Sequence, residues 1–148
     1  MGSGDRTERE LRMKFIEWSN AGIRIPSSGS ATQLELPDVL GFVDGVLFAC
    51  EVKFTSNPYA RFDIEEAVDL IHFSYFWDAV PVFVSRFSQD TTLYGEACLS
   101  ESEIPSESGA KSFSYHDEKR EKYRVMEELV HNPPPNTTRD VYNEPPKA

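Results

Sequence analysis

Between Thr7 and Asn20 the apolar residues Leu11, Phe15 and Trp18 return at helical spacing, with Ile16 widening the stripe, which predicts an amphipathic helix. Thr7 followed by Glu10 has the pattern of a capping box, and Gly22 reads as the helix stop. A short extended piece, Ile23 to Ile25, leads into Pro26-Ser-Ser-Gly-Ser-Ala-Thr, whose proline, glycine and small hydroxyl residues are loop formers. The clearest local signal follows. Residues Pro37 to Val43 read as a strand, Asp44-Gly45 as a two-residue hairpin turn, and Val46 to Lys53 as the returning strand.

Phe62 to Trp77 carries Ile64, Ala67, Val68, Ile71 and Tyr75 at helical intervals with acids on the opposite side, predicting a second helix. Val80 to Phe87 is a β-branched and aromatic run suited to a buried strand, and Thr91 to Ala97 suggests a further edge strand. Past residue 100 the apolar content falls. SESEIPSESGAKS reads as a loop, Asp117 to Val130 as one charged helix, and the proline-rich stretch 132–148 as an extended or disordered tail. The expected organisation is a main domain over 1–100, a loop and charged helix over 101–131, and the tail over 132–148.

A length of 148 residues allows one domain. The apolar runs are too short to span a bilayer, and MGSGDRTERE lacks the pattern of a secretory signal, so a cytoplasmic protein with no membrane partner is expected. Cys50 and Cys98 match no metal-ligand spacing and are read as buried thiols in a reducing compartment. Twenty-five acids against fifteen bases give a formal charge of −10, the reverse of the usual signature of a nucleic-acid binder. The bases cluster, however: Arg6, Arg9, Arg12, Lys14 and Arg24 precede residue 30, enough for a local cationic face. Only six of the fifteen bases are lysine. Many carboxylates and little lysine fit a cytoplasm holding molar salt, where counterions screen self-repulsion.

Several polar residues interrupt the apolar strands. Side chains two apart share a face of a strand, so Glu51 and Lys53 point the same way, and the hairpin partner brings Asp38 close. Carboxylate oxygens converging in this way suit Mg²⁺, which takes one or two acids and keeps waters. Such an ion acidifies water and stabilises charge developing on a phosphodiester, while a neighbouring lysine neutralises the transition state. A cross-strand salt bridge on a solvated face would have the same residues. His72, His116 and His131 are too scattered for a zinc site, and no phosphate loop or nucleophile elbow is present.

Pro-Asp, twelve residues, then Glu-Val-Lys resembles the PD-(D/E)XK nuclease motif. Together with GDRTEREL, Arg24-Ile-Pro-Ser-Ser-Gly-Ser, Leu36-Pro-Asp-Val-Leu, and Ala67 to Phe73 ahead of Val80-Pro-Val-Phe-Val, it is similar to the archaeal Holliday junction resolvases over about residues 4 to 97. The resemblance implies an α/β fold, a restriction-endonuclease-like mixed central sheet flanked by helices. It implies a homodimeric endonuclease that cuts four-way DNA junctions in recombination and repair, with Mg²⁺ (Mn²⁺ may substitute) and no small-molecule cofactor. Carried over residue by residue, Glu8, Asp38, Glu51 and Val52 would hold the metal, Lys53 would be the motif lysine, and Ser28 would lie near the scissile strand. Arg9, Arg24 and Ser30 would contact DNA. Where many relatives have glutamine on the following helix, this chain has Glu66. Another PD-(D/E)XK repair or restriction nuclease, or an inactive DNA-binding module, are the alternatives. With the acidity, the resemblance implies a haloarchaeon, or one of its viruses or plasmids, as the source.

Overall fold

The computed structural model describes residues 3–19, 21–25, 36–88 and 90–146. In chain order its elements are α1 (Ser3–Ser19), β1 (Gly22–Arg24), β2 (Val39–Val43), β3 (Val46–Thr55), β4 (Tyr59–Asp63), α2 (Ile64–Trp77), β5 (Ala79–Phe87), β6 (Tyr94–Ala97), β7 (Ser112–His116), β8 (Arg124–Val125), α3 (Met126–His131) and α4 (Thr138–Val141). Two 3₁₀ turns, Glu101–Glu103 and Asp117–Lys122, lie on either side of β7. Among the described residues the main sheet runs β1-β2-β3-β5-β6-β8, and β4 pairs with β7 as a separate ribbon. Only the central β3–β5 pair is parallel. The chain is therefore a mixed α/β structure, as the sequence predicts.

The hairpin forms where expected. Asp44 and Gly45 both adopt left-handed backbone (φ 49° and 83°), the geometry that matches the twist of the flanking strands. That turn sets the register, pairing Val43 with Val46 and Val39 with Cys50. Alternation along β2 and β3 then divides the core in two. Val39, Val43, Phe48, Cys50 and Val52 face α1 and α3, packing on Leu11, Phe15, Met126, Leu129 and Val130. Ala49 lies on the other face, in the core formed with α2 and the β4–β7 ribbon by Ala67, Ile71, Phe62, Phe83 and Phe113. Gly41 lets α1 lie against the sheet. A Cβ there would meet the Phe15 ring at 2.1 Å.

Several expectations are corrected. The first helix begins at Ser3, so Thr7 is an interior helix residue, fully buried, rather than a cap. Gly22 opens β1 instead of stopping the helix, because its missing side chain admits the Phe15 Cβ and the Arg12 carbonyl. Phe62 belongs to β4, with Ala60 beside it in the core, and α2 starts two residues later. β6 is not an edge strand, since β8 pairs with it at Tyr94↔Val125 and Gly95↔Arg124. The expected helix 117–130 is broken into a 3₁₀ turn, β8 and α3: its charged half has no apolar stripe to bury, whereas Met126, Leu129 and Val130 do.

Residues 132–146, expected as an unpacked tail, return to α2. Arg139 donates to the carbonyls of Tyr75 (3.1 Å) and Phe76 (2.8 Å), and Thr137 Oγ1 donates to Asp78 at 2.7 Å. The Arg139 donors meet carbonyls of the last turn of α2, where helical partners run out. The cysteines Cys50 and Cys98 are both buried. No helix of the described residues is long and apolar enough to cross a membrane.

The C-terminal segment is thus part of the main core. Leu129→Ala should lower stability by ~2–5 kcal/mol, the cost of an unfilled core cavity, measured by urea unfolding; a loss under about 1 kcal/mol would mean that α3 lies outside the cooperative core.

Candidate active site

The register Val39↔Cys50 puts the next position outward, Asp38, opposite Glu51. Asp38 is tied down at three points. Its N–H donates to the Cys50 carbonyl, its carbonyl accepts from the Ile25 N–H, and its Oδ2 accepts from the Val52 N–H, each at 2.9 Å. The backbone therefore holds this side chain over the end of β3, where Glu51 is only 7% exposed and bonded to it. Two carboxylates are packed together away from water, on the sheet face shared with α2.

Burial and mutual repulsion decide their protonation. Asp38 is pushed up to about 6, first by burial and next among the raising causes by Glu8, against the opposing Val52 N–H and Lys53. Glu51 is pushed up to about 10, by burial, then Asp38, then Glu66 from α2, with Lys53 opposing. Lys53 is half-buried on the same strand face and is the cation the pair feels. Burial also raises the Cys50 thiol, with Asp38 and Glu51 adding to the effect.

The other anticipated residues separate into two groups. Glu8 acts on Asp38 through space but is itself engaged by Arg24, whose Nε donates to Glu8 Oε1 at 3.1 Å. Arg24 also pairs with Asp5. A helix starting at Thr7 leaves Asp5 outside it; from Ser3 onward, i,i+3 spacing puts Asp5 and Glu8 on one face. Arg9 is exposed on α1 beside Arg6 and Lys14. Ser28 and Ser30 lie outside the described residues. Glu66, conspicuous in the sequence, adds negative charge behind Glu51.

Two neighbouring hard-oxygen acids, both raised above the usual carboxylate range by burial, are a donor set that suits Mg²⁺, which needs one or two carboxylates and keeps several waters. Glu8, paired with Arg24, stands close enough to Asp38 to raise it. Val52 presents its N–H to Asp38.

The fold and the paired acids at the hairpin end define a restriction-endonuclease-like α/β protein. The family profile of the archaeal Holliday junction resolvases (Hjc) matches residues 2–113, about three quarters of the chain. A solved structure, the Holliday junction resolvase Hjc of the hyperthermophile Archaeoglobus fulgidus, superposes with a TM-score of 0.71 at 16% identity, covering 86% of this chain and 99% of that one. A search of curated protein sequences gives no match. The chain belongs to the archaeal Holliday junction resolvase family, which makes it a junction-resolving nuclease by class.

The buried pair has a pH consequence. Both carboxyls keep their protons to higher pH in the folded chain than in the unfolded one, where carboxyls titrate near 4. The folded state binds more protons between about pH 4 and about pH 10, so stability falls as pH rises through that window. The thermal midpoint without divalent cations should therefore drop more steeply from about pH 5 to about pH 9 in the wild type than in Glu51→Gln. Mg²⁺ should recover the loss in the wild type only. Equal slopes would contradict the buried-pair assignment.

Proposed function

We propose that this chain is a homodimeric, metal-dependent endonuclease that resolves four-way DNA junctions by paired hydrolysis of two phosphodiester bonds. The observation that carries this reading is the Asp38–Glu51 pair, half-buried Asp38 opposite buried Glu51, with Lys53 on the same strand face. Asp38 and Glu51 would hold Mg²⁺ or Mn²⁺, with the Val52 carbonyl and Glu8 as the further groups the family resemblance implies. When bound, the ion acidifies water and stabilises charge on the scissile phosphate. Lys53 neutralises the charge that develops in the transition state, and its neighbours on β3 keep it at the reacting end. The Val52 N–H fixes one Asp38 oxygen, leaving the other for the cation. Arg9 and Arg24 contact backbone phosphates; Arg24 is held ready by Glu8 and Asp5. Ser28 and Ser30 belong to the loop that reaches the scissile strand.

Cutting two strands symmetrically requires two such sites related by a two-fold axis, and one chain supplies one. The outward side of the last turn of α2 supports self-association: Phe76 and Trp77 are each 60% exposed, and Phe73 stacks on Trp77.

Asp38→Asn, Glu51→Gln and Lys53→Ala should each slow junction cleavage by at least about 10²-fold, the scale of one lost transition-state contact. Junction binding should persist, and omission of divalent cations should abolish cleavage. Electrophoresis of matched junction, flap and duplex substrates is the measurement. Preferential cutting of flap or duplex would instead favour another PD-(D/E)XK nuclease.

The acid excess extends the proposal to a halophilic, cytoplasmic setting, in a haloarchaeon or one of its genetic elements. Molar cations, with a Debye length of about 3 Å, mask the repulsion between the acidic exterior and DNA. Circular dichroism and sedimentation equilibrium from roughly 0.1 to 3 M KCl should show fold and dimer persisting throughout. Unfolding or dissociation at the upper end would mean that the acidity is incidental.

A further inference from the structure

One opening of the described residues lies away from the acid pair. It is a cleft of about 730 Å³ between α1 and the C-terminal segment, within the ~300–1,000 Å³ range of ligand sites. One wall is cationic. Arg6, Arg9 and Lys14 project from α1 at helical spacing, and Arg86 comes from the end of β5. Two carboxylates share the cleft, Glu10 and Glu127. Glu10 is taken up by Arg86 at 3.3 Å, and Arg86 also lies over the Phe54 ring. Arg6 is exposed and makes no ion pair among the described residues, while Lys14 reaches only the solvated Glu17 at 3.5 Å, a contact of small worth.

The remaining surface is apolar. Leu93 and Met126 form a buried floor, and Met13 (55% exposed) and Val125 (39%) stand as lips on either side. Val125 and Met126 lie beyond residue 113, where the family match ends, so the segment that completes this cleft is outside the matched region.

We propose that this cleft binds a short stretch of unpaired DNA, one or two nucleotides, with phosphates on Arg6 and Lys14 and a base against Met13 and Val125. The proposal rests on the reading of the chain as a nuclease of branched DNA, and it adds a second contact for that substrate. A double helix is too wide to enter and would offer the rim only phosphates, leaving both apolar lips in water. An unpaired base presents an apolar π-face that covers them, the combination of charged groove and base-covering surface by which single strands are held. Glu8, which pairs with Arg24 next to Asp38, precedes Arg9 on the same helix, so α1 connects the acid pair to the cleft. A strand leaving the reacting phosphate can follow it.

The test is fluorescence anisotropy of the full chain with a labelled oligothymidylate of about ten nucleotides, within the site sizes of single-strand binders, and a blunt duplex of equal length, both in EDTA. The wild type should bind the single strand at least about 10-fold more tightly than the duplex. Reversing the rim with Arg6→Glu and Lys14→Glu should cost at least about 10-fold and flatten the salt dependence, since each lost phosphate contact reduces its slope. Val125→Asn should weaken the single strand by about 3-fold with the salt slope unchanged. All these residues are exposed, and far-UV circular dichroism checks the fold. Equal affinity for both probes, or single-strand binding indifferent to the rim and to Val125, overturns the proposal. Junction cleavage reports separately on the nuclease reading: wild type that cuts junctions without binding the oligonucleotide defeats this inference alone, and wild type that binds it without cutting junctions defeats the nuclease reading.

Discussion

A carboxylate buried to 7% exposure, directly across a strand pair from a second carboxylate, is a costly arrangement for a fold to maintain. Most of the surrounding structure serves to keep these two groups together. The Asp44-Gly45 turn fixes the register, three backbone hydrogen bonds fix Asp38, and the parallel β3–β5 pair fixes the strand carrying Glu51 and Lys53. Burial raises both carboxyls, Asp38 to about 6 and Glu51 to about 10, so Glu51 is the one that keeps its proton at neutral pH. Glu66, from α2, adds to the rise of Glu51.

Local chemistry made the centre of the molecule legible. A two-residue turn with Asp-Gly dictates its own pairing, and period-two alternation then places Asp38, Glu51 and Lys53 on one face without any knowledge of the rest. The failures lie where distant parts of the chain decide. β4 is a strand because β7, some fifty residues later, pairs with it; both segments alternate, but each is only five residues long and its partner is distant in the chain. Thr7 looked like a cap because a hydroxyl followed by Glu10 is a capping pattern, yet the helix continues back to Ser3 and carries Asp5 onto the Arg24 contact. In the C-terminal third the apolar positions Met126, Leu129 and Val130 were legible, but the break of the expected helix 117–130 into a 3₁₀ turn, β8 and α3 was not.

That C-terminal third changes how the domain is understood. The family match ends at residue 113, yet β8 extends the sheet, α3 closes the core over α1, and α4 holds the last carbonyls of α2. The additions touch both surfaces that a junction enzyme would use: the helix turn bearing Phe76 and Trp77, and the cleft beside Arg6 and Lys14. An acidic chain also concentrates its cations where they act. The α1 stripe faces the cleft, and Arg24 stands beside the acid pair.

The most direct test of the central claim uses a supercoiled plasmid that extrudes a cruciform, incubated with the wild-type chain and Mg²⁺ at high KCl. Paired incision by two symmetry-related sites converts the circle to a linear form without accumulation of the nicked circle, and that is the predicted result. Persistent nicked circles, or equal cutting of the same plasmid relaxed and without its cruciform, would contradict it.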